Sequence, residues 1–285
     1  MKKPYNYLHI LVLFFSVQSV QIYGQQTEID TNIQSEYNHA INLFNSKAYA
    51  AAQKYFIEVS ENSTIKNDLK ANADYYDAMC AIKLNQTNAD KKVTSFVNNY
   101  PSSTKKDRAY FNVGNYYFAN KKTAYALKWY SKVNLDALSL ANKKEINFKM
   151  GYSFLSTRNL DLAKNKFVLL INDPKYGNDS RYYFGYISYK QEDYEIAEKT
   201  LEEIADDEAY KSEVTYYLLD ISFKAGRFEK CIEVGLKLLE NAKPKEVSEI
   251  SKIIGESYFN LKKYKESIDY LKVYRGKKGK WNNTD

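Results

Sequence analysis

The sequence predicts an all-α solenoid of stacked antiparallel helix hairpins, and three observations predict it. Gly151-Tyr152, Gly185-Tyr186 and Gly255-Glu256 occupy the same point of a recurring unit, and Gly151, Gly185 and Leu219 follow one another at intervals of 34 residues. That is the period of a helical repeat array. Large apolar residues recur around these points at helical spacing, as in Phe184, Tyr194 and Leu201. Small residues also return at a fixed offset, Ala163 after Gly151 and Ala197 after Gly185. Where two helices of a hairpin cross most closely a larger side chain would push the backbones apart, so Gly151 is expected to pair with Ala163 and Gly185 with Ala197.

Taken in order, the first unit carries Ala40, Leu43, Tyr49, Ala52 and Phe56. The second runs from Asp74 to Asn98 with Tyr75, Ala78, Cys80, Ile82, Val93, Phe96 and Val97, and is degenerate because it lacks a clean small-residue pair. Gly114, Tyr117, Ala126 and Tyr130 define the third; Gly151, Leu160, Ala163 and Phe167 the fourth; Gly185, Tyr194, Ala197 and Leu201 the fifth. The sixth carries Leu219, Phe228, Cys231 and Leu238, and the seventh Gly255, Tyr258, Tyr264, Ser267 and Leu271. One helix pair cannot bury its apolar face alone, so stability is expected from stacking neighbours.

The runs around Gly151 and Gly185 resemble the tetratricopeptide repeat: a large-Gly-aromatic first helix, a short polar turn, an aromatic or Leu, Ala three residues on and a large apolar residue four further. The resemblance implies a right-handed superhelical solenoid of about seven units. It also implies a non-catalytic scaffold that binds a peptide or protein segment in a concave groove lined by the first helix of each hairpin. Carried onto this chain, the groove residues are Phe111, Asn115 and Phe118 in the third unit, Phe148 and Tyr152 (with Leu155) in the fourth, Tyr182, Tyr186 and Tyr189 in the fifth, and Tyr216, Asp220 and Phe223 in the sixth. Tyr suits recognition because it offers a large rigid area and a hydroxyl, and the chain has 28 of them. The alternative for each ring is packing between adjacent hairpins. Some arrays of this type clamp a terminal carboxylate with Lys, Asn and Arg, but Phe111 and Tyr152 stand where basic and amide groups would be needed.

The ends read differently. Lys2 and Lys3 precede an apolar run from Leu8 to Val17, too short for the ~20 residues of a membrane span, and Gly24 offers a small residue for cleavage. Residues 1–24 are expected to be a signal peptide, 25–32 a lead-in and 33–285 the solenoid, leaving no integral membrane span after processing. Trp281-Asn282-Asn283-Thr284-Asp285 looks like the lead-in to another repeat, so the array is expected to continue beyond the C-terminus. Asn99-Tyr100-Pro101-Ser102-Ser103 resembles the linker of exported bacterial repeat proteins of outer-membrane assembly and Tol-Pal systems, with Pro ending one helix and Ser capping the next. That resemblance implies a periplasmic or outer-membrane-associated protein of a Gram-negative envelope, in a peripheral envelope complex.

The net charge of +7 is spread over 42 basic and 35 acidic residues, too diffuse to imply nucleic acid. The local basic cluster Lys272, Arg275, Lys277, Lys278 and Lys280 is expected to be solvated. Cys80 and Cys231 lie four units apart and are predicted to be free buried thiols. With His9 in the leader, His39 is the only remaining histidine, so a triad or histidine metal site lacks its parts; no phosphate loop or Gly-x-Gly-x-x-Gly appears, and no cofactor is expected. The carboxylate run Glu202 to Glu208 is expected to be a solvated repeat end. A second reading is a substrate-presenting repeat module of a larger exported enzyme or assembly complex.

Overall fold

A computed structural model describes residues 32–62, 67–242 and 244–276. The signal-peptide reading, almost all of the lead-in and the basic residues from Lys277 onward lie outside them. Every regular element among the described residues is helical. The α-helices are α1 (32–45), α2 (Tyr49–Glu61), α3 (Asn67–Lys83), α4 (Ala89–Asn99), α5 (Lys106–Ala119), α6 (Thr123–Tyr130), α7 (Leu140–Ser156) and α8 (Leu160–Phe167). They continue with α9 (Gly177–Lys190), α10 (Tyr194–Glu202), α11 (Lys211–Lys224), α12 (Phe228–Asn241), α13 (Pro244–Asn260) and α14 (Tyr264–Gly276). Paired in order, they make seven hairpins among the described residues.

Each hairpin closes the same way. One residue after the first helix adopts left-handed backbone: Lys47, Asn85, Lys121, Arg158, Glu192, Gly226 and Lys262, with φ between 55° and 72°. Its amide donates to the carbonyl three residues back and the next amide to the carbonyl five back, as in Arg158 to Leu155 and Asn159 to Phe154, or Glu192 to Tyr189 and Asp193 to Ser188. This is a Schellman closure, which satisfies the last carbonyls of the first helix. The residue after it, such as Lys122, Asn159, Asp193 or Arg227, starts the second helix without a side-chain cap. The expected Ser cap on α5 is likewise absent: its N-cap is Lys105, and Ser103 Oγ accepts from the Lys105 amide instead.

The chain divides into two compact units at Lys143 and Lys144, within α7. In the first, α3 packs on α2, α4 and α5, and α5 on α6. Two of its cores centre on Phe56 with Ala40, Ala52 and Cys80, and on Tyr75, Phe96, Val113 and Trp129. In the second unit, α9 packs on α10 and α11, α11 on α12 and α13, and α13 on α14. Its cores centre on Phe167 and Ile187, on Leu201 and Ile221, and on Leu219 and Ile254.

The crossings refine the expected small-residue pairing. A Cβ built on Gly151 would lie 3.0 Å from the Phe167 ring, and one on Gly185 2.7 Å from Leu201 Cγ. Gly255 stands in the same relation to Leu271, at 2.8 Å. The glycine therefore makes room for the large residue four positions beyond the small one. The small residue lies against the same turn of backbone: Ser267 Oγ donates to the Gly255 carbonyl at 2.8 Å and Cys231 Sγ to the Leu219 carbonyl at 3.7 Å. In the sixth hairpin the volumes change sides. Leu219 occupies the glycine position, Gly235 the large position, and a Cβ on Gly235 would lie 2.7 Å from Ile254 Cγ1 of the next hairpin. Leu238, expected in the large position, is only half-buried.

Candidate functional site

The first helices of the second unit carry a row of tyrosines in mutual contact. On α9, Tyr182 stacks on Tyr210 with centroids 4.6 Å apart and lies parallel to Tyr186 at 6.5 Å. Tyr217 of α11 then joins the row, 5.7 Å from Tyr186 and 5.0 Å from Tyr189. Tyr189 Oη donates to Asp220 Oδ2 at 2.6 Å, and Lys224 Nζ reaches the same oxygen at 2.7 Å while lying 4.9 Å over the Tyr189 and Tyr194 rings. Tyr210 donates to Asp179. Helical spacing produces this row, because residues 182, 186 and 189 fall on one stripe of α9, and 216, 217, 220 and 224 on the facing stripe of α11.

The structure thus brings together Tyr182, Tyr186, Tyr189 and Asp220 of the expected set. Each is half-buried, as is Tyr216. Tyr216 and Phe223 pack against the Leu219–Ile254 core, Phe223 in edge contact with Phe228. Tyr152 is 40% exposed, in edge contact with Tyr183 at 5.8 Å. Phe148 is half-buried, stacked on Tyr176 at 4.9 Å and packed beside Phe167. In the first unit, Phe111 is a correction: it is 5% exposed, with its ring toward Tyr130. Asn115 spends its carbonyl on the Tyr130 hydroxyl at 2.6 Å, and Phe118 is half-buried. The large Tyr130 fills the space left by Gly114 and takes both neighbours into the hairpin.

Sequence reasoning missed Tyr183, Tyr210 and Tyr217. Tyr183 and Tyr217 carry a readable signal, since they are 34 residues apart and both lie two positions before the crossing residue.

Burial sets the electrostatics. It raises the phenols of Tyr182 and Tyr216, with Glu213 adding to the first and Glu249 then Asp220 to the second. It raises Tyr217, Tyr189 and Tyr210 further, helped in turn by Tyr182, by the bond to Asp220 and by the bond to Asp179. Burial would lower Lys224, but its bonds to Asp220 and Tyr194 reverse this and hold it above the usual lysine range. At neutral pH Tyr182, Tyr189, Tyr210, Tyr216 and Tyr217 therefore stay uncharged, and the ammonium groups of Lys190 and Lys224 lie over the row.

A cavity of about 760 Å³ opens beside this row, between α11, α12 and α13, with Tyr216 and Tyr217 in its wall. No group of three His, Cys, Asp or Glu side chains that could hold a metal occurs among the described residues. His39 is exposed, in edge contact with Tyr55 at 4.8 Å. Cys80 and Cys231 are both buried and free; burial, then Asp77, pushes the Cys80 thiol up to about 12, and burial raises Cys231.

Comparison with solved structures identifies the architecture. A MamA structure matches with a TM-score of 0.52 at 15% identity, over 64% of this chain and 97% of its own. YrrB, described as a TPR protein with an unusual peptide-binding site, matches with a TM-score of 0.52 at 14% identity, over 65% of this chain and 92% of its own. The fold is that of a tetratricopeptide-repeat protein. At such identities the likeness carries the fold and no residue roles. No family model matches the chain, and neither does any curated protein. Among the described residues no helix is long and apolar enough to cross a membrane.

Proposed function

We propose that this protein is a non-catalytic protein-interaction scaffold that holds an extended peptide or protein segment on the tyrosine row of α9 and α11. The row itself carries the reading. Half-buried Tyr182, Tyr186 and Tyr189 are fixed by ring contacts and by the Asp220 and Lys224 bonds, so they offer area and hydroxyls that cost little entropy to immobilise. The peptide-binding site named for YrrB, a protein of the same fold, supports the class of ligand. The setting we propose is the periplasm or the outer-membrane surface. It is supported by the basic and apolar opening of the chain and by the Tyr100-Pro101-Ser102 linker.

Tyr182, Tyr186 and Tyr216 all pack against cores, so truncating them tests stability and binding together. Tyr152→Ala with Tyr186→Phe separates the two, since the first ring is 40% exposed and the second change removes only a hydroxyl. Peptides selected from a random display library on the wild-type protein should bind this variant at least tenfold more weakly while its thermal melting changes little. Unchanged affinity in a folded variant would refute the reading.

A further inference from the structure

The cavity between α11, α12 and α13 combines apolar and acidic side chains. Its floor is apolar and aromatic, formed by Tyr216, Val234, Leu238 and Ile250. Its volume of about 760 Å³ lies within the ~300–1,000 Å³ of ordinary ligand pockets. Around that floor stand four carboxyl side chains, Glu208, Glu213, Glu246 and Glu249, in a chain whose net charge is +7. Among the described residues two lysines share the wall: Lys211 lies 3.5 Å from Glu208, so that these two charges offset each other, and Lys237 lies 2.8 Å from Glu233.

Glu213 and Glu246 have a local reason to be present, since each sits in the first turn of its helix, where the backbone dipole favours negative charge. Glu249 lies beyond the first turn of α13 and has no such reason. Its charge nevertheless reaches inward, for it is the second cause, after burial, of the raised Tyr216 phenol. Glu213 acts in the same way on Tyr182 of the tyrosine row. Glu249 and Glu213 thus bear on the cavity and on the near end of the row, while Lys224 and Lys252 act on Tyr216 in the opposite sense.

We propose that this cavity docks a cationic segment of a partner protein, inserting one large apolar side chain onto Tyr216, Leu238 and Ile250 while flanking Lys or Arg residues meet Glu213 and Glu249. The inference rests on the scaffold reading and specifies the chemistry of its partner. An apolar floor with a carboxylate rim matches a ligand with the opposite arrangement, and an acidic segment would meet like charge on entry.

Three labelled peptides test it by fluorescence anisotropy: a tryptophan flanked by lysines, by serines or by glutamates. The lysine peptide should bind about tenfold or more tighter than the serine peptide at low salt, and the glutamate peptide more weakly than either. The difference should shrink as salt screens the rim, and Glu213→Gln with Glu249→Gln should abolish it without altering the melting curve. Equal binding of all three, insensitive to the double change, would overturn the cationic preference and leave the scaffold intact. If none binds the folded protein, the cavity is overturned as a docking site. The scaffold reading falls separately, when library-selected peptides ignore the changes at Tyr152 and Tyr186.

Discussion

Exchanging the volumes at the fifth hairpin crossing tests whether each hairpin is held by complementary volume across two helices. Leu201 is fully buried, and a Cβ on Gly185 would stand 2.7 Å from its Cγ and 2.8 Å from its Cδ2. Carbon atoms pack at about 3.5–4.0 Å, so the added atom overlaps by nearly 1 Å. Gly185→Ala gains about 1 kcal/mol of helix propensity and loses about 1–3 to overpacking, for a net loss of about 0–2 kcal/mol. Gly185→Leu adds three further carbons at the same point and should cost about 3 kcal/mol or more. Leu201→Gly empties a closed site and adds a helix glycine, costing about 3–6 kcal/mol. The double variant reproduces what Leu219 and Gly235 already do one hairpin later. It should cost less than the sum of the singles by at least about 2 kcal/mol, a coupling within the range found for residues in direct contact. Urea unfolding followed by circular dichroism on the four proteins measures the cycle. Additivity within about 0.5 kcal/mol would refute the volume-exchange account.

Three further outcomes follow from the same contacts. Arg158→Gly and Glu192→Gly, at φ 64° and 63°, should each stabilise the protein by about 0.5–1 kcal/mol, and Gly226→Ala at φ 72° should destabilise it by about 1 kcal/mol, as urea midpoints will show. Burial raises Tyr75 and, with their Asp partners, Tyr100 and Tyr117 from 10 to about 12. Folding therefore holds these phenols protonated: the stability they contribute is complete below pH 10 and is lost as pH rises from about 10 to 12. Ring resonances of Tyr75, Tyr100 and Tyr117 should keep their phenol shifts through that window until helicity collapses, and titration of these three near pH 10 in the folded protein would contradict it. Cys80 and Cys231, buried with raised thiols, should resist alkylation at neutral pH until denaturant is added.

Much of this was legible in the residue pattern because a crossing position constrains volume, and volume is what residue type specifies. Gly151, Gly185 and Gly255, with Ala163, Ala197 and Ser267, set the register from sequence alone. The sixth hairpin was harder because volume is conserved across a pair of helices. Leu219 reads as a defect until Gly235, 16 residues later, is seen to leave room that Ile254 fills beside it, whereas Leu238 mimics the expected large residue without being enclosed. The turns were hidden for a different reason. Lys47, Lys121, Arg158, Glu192 and Lys262 do not favour positive φ, but the paired Schellman bonds and the packing of both helices impose it. In the site, Phe111 and Phe148 share a register with Tyr182, yet only Phe111 is closed in, its ring toward Tyr130, while Phe148 on Tyr176 stays half-buried like Tyr182 on Tyr210. Register says which stripe a ring occupies, and its neighbours decide how far out it stands.

The tyrosine row shows why one residue type serves both purposes. A Phe in place of Tyr189 could fill the same gap beside Tyr217, but it would take from Asp220 the phenol it shares with Lys224 and remove one of the bonds that tie α9 to α11. A polar side chain could meet Asp220 but could not reproduce the ring contacts. The phenol satisfies the apolar space between hairpins with its ring and the solvent edge with its hydroxyl. Rings committed to both sides have little rotamer freedom left to lose when a ligand arrives. The contacts that stack the fifth hairpin on the sixth therefore also preorganise the surface they expose, and stabilising that stack and sharpening recognition become one structural requirement.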